Sequence, residues 1–174
     1  MIRRLPGSTR KESSAASDGY KGQSKWYKEV QKDLSNIVKA IDFFETELKQ
    51  GRIEISLAGN IEKNSRDIPG IVEHRFGQLQ EIEAILEHLN IELRKLRSIK
   101  YKQFLEHYQR QLTSRDVQQY IDGEQDVVDL QHLVNEFALI RNKYIGFTKA
   151  IDAKQFQINN IIKLRSAGLE DLGL

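Results

Sequence analysis

The sequence predicts an all-α protein, an antiparallel bundle of long helices with coiled-coil-like seams that forms a homo-oligomer. Its 174 residues include only two prolines, with 39% hydrophobic and 30% charged residues, a composition typical of a helix-rich, water-soluble chain. Apolar residues recur at steps of three and four through long segments, which places them on one face of a helix. A single short stretch alternates like a strand, and one strand cannot form a sheet.

The N-terminal third is predicted to contain an arm, a helix and a linker. Residues 1–23 are rich in serine, glycine and lysine and lack apolar periodicity, so we expect a flexible basic arm. Residues 24–66 are predicted to form a helix that ends at Gly51, followed by a linker. The linker would lie extended against the helices or add an edge to a partner chain.

A helical core is predicted for residues 67–168, and its first helix is long. Asp67 and Pro69 mark the start of this helix, because proline is tolerated in a first turn, and the pattern continues to about Gln111. Leucine and isoleucine alternate at threes and fours from Leu79 to Leu96, which indicates a seam for a partner helix. The seam does not specify whether that helix belongs to the same chain, but a length of roughly 60 Å favours self-association.

A short helix and a second long helix are predicted to follow. Thr113 or Ser114 provides the N-cap of the short helix, and Gly123 marks a kink or break after it. Apolar residues then form a second long stripe from Val127 to Ile151, which is suited to fold back on the first long helix.

The C-terminal region is predicted to hold one more helix. A break near Asp152 and Ala153 would separate it from the preceding stripe, and Gly168 stands at the position of a helix C-cap. Residues 169–174 then form a tail.

Composition and motifs argue against an enzyme. The chain has no cysteine, which removes disulfides, thiolate zinc sites and cysteine nucleophiles. None of its four histidines has the i, i+4 spacing of a helical metal pair, and no glycine-rich phosphate loop or nucleophile elbow occurs. We therefore expect no catalytic residues, no metal and no cofactor. The acidic residues Asp122, Glu124 and Asp126 would fit either a Mg²⁺ site or a solvated helix entry.

The location predicted from the sequence is the cytoplasm, which would be that of the host cell if the protein is viral. No apolar run approaches the roughly 20 residues that cross a bilayer, and the N-terminus lacks the apolar segment of a signal peptide.

Charge is segregated along the chain although the net charge is only +2. Residues 93–110 are strongly basic and contain the single carboxylate Glu106, whereas residues 116–129 are acidic. We expect these acids to face the bases.

The basic stretch admits two interpretations. Its charges would pair with glutamates one to three turns earlier on the same helix. Alternatively, its bases and the interleaved aromatic residues Tyr101, Phe104 and Tyr108 would bind single-stranded nucleic acid, whose phosphates are neutralised while its bases stack.

The layout of residues 67–165 also resembles a known family, through five elements in order. They are Ile68-Pro69 at a helix start, Lys100-Tyr101-Lys102, Glu106-His107-Tyr108, an acidic turn from Val117 to Leu130, and Phe156-Gln157-Ile158-Asn159-Asn160. This order resembles the UvsY family of phage recombination mediators. Lys154 stands near a position where that family has arginine, and residues 1–66 have no counterpart in it.

The resemblance implies a non-enzymatic accessory of DNA recombination and repair. Such a protein binds single-stranded DNA, forms rings of six or seven subunits, and helps a RecA-like recombinase replace a single-strand-binding protein. The predicted phosphate contacts are Lys100, Lys102, Arg97, Arg94 and Lys95, with Tyr101 and Tyr108 as stacking partners. The predicted subunit contacts are Leu79, Leu86, Leu93, Phe156, Ile158 and Ile161.

Two other functions fit the same sequence. One is a helical scaffold or virion structural oligomer, in which the seams hold subunits together and the basic arm contacts nucleic acid or an acidic partner. The other is an adaptor that binds a protein through its acidic turn.

Overall fold

A computed structural model describes residues 25–107 and 113–169, and these residues form an all-helical fold without strands. The all-α prediction is confirmed for them, whereas the homo-oligomer stays a prediction. A short 3₁₀ turn at Leu34–Asn36 accompanies the five α-helices, which are α1 (Lys25–Lys32), α2 (Ile37–Ile55), α3 (Ile61–His107), α4 (Ser114–Gly123) and α5 (Gln125–Ser166).

The two long helices, α3 and α5, form an antiparallel pair. Lys100 near the end of α3 contacts Asp126 at the start of α5, while Ile61 at the start of α3 lines one groove with Ile162 near the end of α5. Each helix turns its apolar stripe toward the other, as the predicted fold-back requires. The leucine seam of α3 is thus filled by α5 of the same chain.

Helix α2 packs mainly against α5 and completes the core. Phe44 is fully buried and contacts the rings of Phe137 and Tyr144 edge-on, at centroid distances of 6.4 Å and 6.0 Å. Burying one such ring contributes about 1.5–3 kcal/mol to folding. The Tyr144 hydroxyl donates to the Phe44 carbonyl oxygen at 3.3 Å, so its polar end is also satisfied.

The predicted N-terminal helix is two helices, and the predicted stop at Gly51 is wrong. Asp33 separates the helices by accepting the Ser35 N–H at 2.9 Å, which caps the 3₁₀ turn. Gly51 is buried inside α2, and a Cβ on it would lie 2.9 Å from the Phe147 ring. This glycine therefore allows α2 to approach α5 closely, and α2 continues to Ile55.

The predicted linker is mostly helical. It shrinks to residues 56–60, and α3 begins at Ile61 rather than at Asp67. The cap is Asn60, whose side-chain oxygen accepts the N–H groups of Glu62 and Lys63 at 2.8 Å and 3.2 Å. Pro69 therefore stands inside the helix. The strand-like alternation was misleading because two of its isoleucines occupy the last turn of α2.

Helix α4 begins and ends as predicted. Thr113 caps it in a capping box, in which its hydroxyl accepts the Asp116 N–H and the Asp116 carboxylate accepts the Thr113 N–H. Gly123 is its last residue, and Glu124 is extended, with φ −64° and ψ 132°, before α5 starts. The break after Gly123 is confirmed.

Helix α5 is continuous, so the predicted break at Asp152 and Ala153 is wrong. Ile151, Lys154 and Ile158 keep the helical spacing and remain buried across that point. The C-cap at Gly168 is confirmed, because this residue has φ +73° and the Leu169 N–H reaches the carbonyl of Leu164.

Candidate nucleic-acid interface

The C-terminal part of α3 has an inner side and an outer side with different chemistry. Successive helical residues are about 100° apart, so Arg97 and Lys100 turn toward α4 and α5. Arg94, Lys95 and Lys102 turn away from the core and are exposed. The basic stretch is therefore not one surface.

The inner bases are held by the acidic turn. The Lys100 ammonium nitrogen lies 2.9 Å from carboxylate oxygens of both Glu124 and Asp126, and its side chain is only 19% exposed. Arg97 Nη2 lies 3.4 Å from Asp122 Oδ1. The prediction that the acids face the bases is confirmed at these three ion pairs.

The ion pairs around Lys100 also shift its titration. Hydrogen bonds to Glu124 and Asp126 raise the pKa of Lys100, and the hydrogen bond from Lys100 lowers the pKa of Asp126. Both groups therefore remain charged over a wider pH range than usual. Across residues 25–107 and 113–169, no group of three or more histidine, aspartate or glutamate side chains is placed to hold a metal ion.

The outer bases remain open to solvent. Arg94 pairs with Glu87 at 3.0 Å, and both side chains are largely exposed. Lys95 pairs with Glu92 at 2.7 Å. Such surface pairs contribute little energy and exchange readily for another anion. Lys102 is exposed and has no ion pair within 4 Å among the described residues.

The aromatic residues of the stretch divide in the same way. Tyr101 is exposed beside the outer bases, whereas Phe104 stacks on Tyr120 of α4, with ring centroids 5.9 Å apart. Tyr108, predicted as a stacking partner, lies outside the described residues. Of the predicted aromatic pair, Tyr101 is thus the one whose exposure can be described.

The predicted subunit contacts are placed mainly inside the chain. Leu79, Leu86 and Leu93 are buried in the core of the three-helix region, and Ile158 is buried in a second cluster with Phe147. The structure thus gives these residues intramolecular packing, because α5 supplies the partner helix of the seam. Phe156 is 63% exposed and Ile161 is partly exposed.

A buried polar network that joins α2 to α3 was not predicted. Arg75 is 3% exposed, and its guanidinium binds Glu54 in a two-pronged contact at 2.6 Å and 2.9 Å. The same group donates to Glu47 at 2.9 Å and to Gln78 at 2.8 Å. Although burial opposes its charge, the hydrogen bonds to Glu54 raise the pKa of Arg75. A bidentate arginine contact fixes orientation as well as distance.

A second buried cation, Lys154, anchors the end of α2. Its ammonium nitrogen donates to the backbone carbonyl of Glu54 at 2.8 Å and to Asn64 Oδ1 at 2.9 Å. Lys154 thus satisfies a backbone carbonyl in the last turn of α2, where the helix itself provides no donor. The sequence carries little signal for either contact, because each buried base stands among mixed polar and apolar residues and nothing in the spacing identifies its partner.

Among the described residues, no helix has the combination of length and apolar character that spanning a membrane requires. Comparisons of the chain with family models, curated proteins and solved structures found no match.

Proposed function

We propose that this chain is a non-enzymatic single-stranded-DNA-binding protein of homologous recombination, of the mediator type that the UvsY resemblance implies. In this role it assists a RecA-like recombinase in replacing a single-strand-binding protein. The observation that carries the proposal is the outer side of α3, where Arg94, Lys95 and Lys102 are exposed beside Tyr101.

The chemistry of that side suits a single strand more than a duplex. The three cations are spread over about two helical turns, so they can follow a flexible phosphate backbone. An exposed tyrosine offers a stacking surface to unpaired bases, and stacking is available to any base. A duplex hides its bases, so it would gain only the electrostatic part of this interaction.

The placement of the residues changes the ranking of the phosphate contacts. Lys102, Lys95 and Arg94 now come first, because their charges are directed to solvent. Lys100 and Arg97 come last, because Glu124, Asp126 and Asp122 already neutralise them. The proposal therefore separates Lys100 from Lys102, two residues that the sequence alone treats alike.

The first experiment is fluorescence anisotropy of labelled single-stranded and double-stranded oligonucleotides at several salt concentrations. Preference for the single strand and strong salt dependence are expected. Absence of binding at low salt would contradict the proposal.

The sharper test uses two matched double variants. Lys95→Ala with Lys102→Ala should reduce the salt slope for single strands by about 1.4, since each phosphate contact contributes roughly 0.7. At 0.1 M salt this corresponds to a loss of roughly 25-fold in affinity. Lys39→Ala with Lys149→Ala removes the same charge from exposed positions on α2 and α5 and should change neither quantity by as much.

Lys100→Ala provides the internal comparison. It should lower thermal stability, because it leaves Glu124 and Asp126 without their shared cation, and it should leave the salt slope nearly unchanged. A loss of slope equal to that of the outer double variant would show that the inner side contacts DNA.

The mediator role needs its own assay. Strand exchange by a RecA-like recombinase on DNA coated with a single-strand-binding protein should start sooner when this chain is present. The outer double variant should lose that effect. If the chain binds single strands but strand exchange does not start sooner in its presence, it is a DNA-binding protein and not a mediator.

A helical scaffold or virion structural oligomer is the second candidate, and one observation favours it. Phe156, Ile162 and Leu164 expose large apolar side chains near the end of α5, a pattern that marks protein contact surfaces. This candidate predicts assembly that is insensitive to oligonucleotides and shows no preference for single strands.

A further inference from the structure

One face of α3 is exposed along most of the helix, and its glutamates precede its basic residues. It overlaps the outer side described above but includes neither Lys95 nor Tyr101. It repeats at steps of three and four and is solvent-exposed at every position. Its members are Glu73, Phe76, Gln80, Glu83, Glu87, Ile91, Arg94, Ser98, Lys102 and Leu105. We call this set the outer face of α3.

Charge on the outer face is divided into two halves. Between Glu73 and Glu87 its charged residues are all glutamates, because Arg75 points into the core. Between Ile91 and Leu105 the charged residues of this face are Arg94 and Lys102, and Glu92 of the same interval turns aside to pair with Lys95. The helix thus presents an acidic half followed by a basic half.

Large apolar side chains stand at both ends and at the middle of this face. Phe76 is 55% exposed in the acidic half, Leu105 is 58% exposed in the basic half, and Ile91 lies between them. Isolated exposed apolar residues are common on protein surfaces. Three of them on one helix face, about four turns apart, add apolar contact points to a face that is otherwise charged and polar.

We infer that the outer face of α3 binds the same face of a second copy of this chain, with the two helices antiparallel. Only that direction places the acidic half of each copy against the basic half of the other. A parallel pair would align glutamates with glutamates and lysines with lysines, and like charges placed opposite each other disfavour a pairing.

The sequence of the face fixes an approximate register. If the twofold axis passes between residues 90 and 91, Glu87 lies opposite Arg94 and Phe76 lies opposite Leu105 of the other copy. Glu83 then lies opposite Ser98, with Arg94 and Lys102 one turn to either side. The same contacts occur twice by symmetry, as an isologous interface requires.

The size of the face predicts a weak and salt-sensitive complex. From Phe76 to Leu105 the helix is about 44 Å long and about 11 Å wide. Two copies would therefore bury about 1,000 Å² in total, the lower limit for a specific interface. Because the complementarity is largely between exposed charges, added salt should dissociate the pair.

The sequence predicted self-association through the leucine seam of α3, but α5 of the same chain packs on that seam. The interface inferred here lies on a different face of α3. It also does not depend on the proposed DNA-binding function. It does use some of the same residues, since Arg94 and Lys102 face the second copy in the pair.

The experiment is sedimentation velocity at tens of micromolar protein, in low and high salt, with paired charge reversals. The acid-reversed variant carries Glu83→Lys and Glu87→Lys, and the base-reversed variant carries Arg94→Glu and Lys102→Glu. A control, Lys39→Glu with Lys149→Glu, matches the base-reversed charge change at exposed positions off this face. Circular dichroism verifies that all variants fold, which is expected because every substituted residue is exposed.

The expected result is a salt-sensitive dimer for the wild type and for the control, and a monomer for each reversed variant alone. An equimolar mixture of the two reversed variants should form a heterodimer, because every opposing pair is then attractive. Restoration in the mixture would be hard to explain by damage to folding.

Three results would overturn the inference. They are a wild type that stays monomeric in low salt, a dimer that survives both reversals, and a mixture that stays monomeric. The acid-reversed variant also separates this inference from the proposed function, because it keeps Arg94, Lys95 and Lys102. Single-strand binding by that variant, with no dimer in the wild type, would reject the interface and leave the function standing.

Discussion

Individual residues in this fold take roles that depend on which helix passes nearby. Gly51 and Gly146 both lie within long helices, where glycine is unfavourable by about 1 kcal/mol relative to alanine. Only Gly51 has a reason to be glycine: a Cβ there would lie 2.9 Å from Phe147 Cζ and 3.1 Å from Arg75 Nη2. A Cβ on Gly146 would meet nothing within 4 Å.

The two glycines therefore predict opposite effects of the same substitution. Gly51→Ala should destabilise the protein by about 1–3 kcal/mol, because it forces α2 away from α5 in a packed region. Gly146→Ala should stabilise it by up to about 1 kcal/mol through helix propensity alone. Urea unfolding measures both free energies. Equal stabilisation by both substitutions would mean that α2 can shift to accept the methyl group.

Buried charge at the residue scale is arranged to avoid isolation. Arg75 has the carboxylates of Glu54 and Glu47 and the amide of Gln78 as partners. Burial alone would raise the pKa of Glu47, but its hydrogen bonds and the charge of Arg75 hold that pKa below its ordinary value. Removing one partner of such a group is costly, because the remaining charge is left desolvated. Helix α2 buries only a few side chains, and this network adds polar contacts that fix its position against α3.

At the scale of elements, α1 is attached by a cap supplied from another helix. The Glu81 side chain of α3 accepts the Tyr27 N–H at 3.0 Å, in the first turn of α1. Burial raises the pKa of Glu81 above its ordinary value of 4.5, although the backbone N–H groups of Tyr27 and Trp26 lower it. A carboxylate at a helix N-terminus is favourable, but this one is largely desolvated.

This cap predicts a pH dependence with a definite sign. Because the folded state holds the Glu81 proton more tightly than the unfolded state, its contribution is full below pH 4.5 and is lost as pH rises through the raised folded pKa. Glu81→Gln keeps an oxygen acceptor but cannot ionise. Relative to the wild type, this variant should gain stability as pH increases from 4 toward 7.

Urea unfolding at a series of pH values checks this prediction. Asp33→Asn is a suitable control, because its carboxyl is exposed and hydrogen-bonded to Ser35, which lowers its pKa. Its pH-dependent effect should have the opposite sign and fall mostly below pH 3.8, so this variant should run nearly parallel to the wild type between pH 4 and 7. A Glu81→Gln variant that changes with pH in parallel with the wild type would contradict the assigned shift.

The predictability of each element follows from how local its determinants are. Caps and glycine turns are local, so Thr113, Gly123 and Gly168 were identified correctly. The start of α3 was missed because Asn60 caps it before Pro69, and proline inside the helix was not anticipated. Gly51 was misassigned because its reason is a tertiary contact with Phe147, which no local pattern contains.

The candidate site was predictable only as a segment. The sequence placed the bases and the acids on neighbouring helices, and their pairing is observed at Lys100. It could not divide the segment into two sides, because that division depends on where α4 returns after residues 108–112. Which cation faces solvent is therefore information that the fold adds.

At the scale of the whole molecule, the outer face of α3 would serve two ligands. Its basic half binds a single strand in the proposed function and binds a second copy of the chain in the inferred dimer. Both ligands neutralise Arg94 and Lys102, so they cannot occupy the face together. Strand binding and this self-association are then linked equilibria with opposite effects on each other.

This linkage predicts that a short oligonucleotide dissociates the dimer. In low salt, added oligo(dT) should convert the wild-type dimer into a complex of one chain with one strand, measured by sedimentation with absorbance detection of the DNA. Simultaneous binding of DNA and second copy would place one of them on another surface.

The position of Lys154 has a further consequence for the connection between α2 and α3. Its ammonium group binds the last turn of α2 and the first turn of α3 at once, from a helix nearly one hundred residues later. The five-residue connector at 56–60 is exposed throughout. The end of α2 and the start of α3 are thus joined twice, once by the covalent chain and once by this cation, so a chain cut at the connector should keep the two helix ends together.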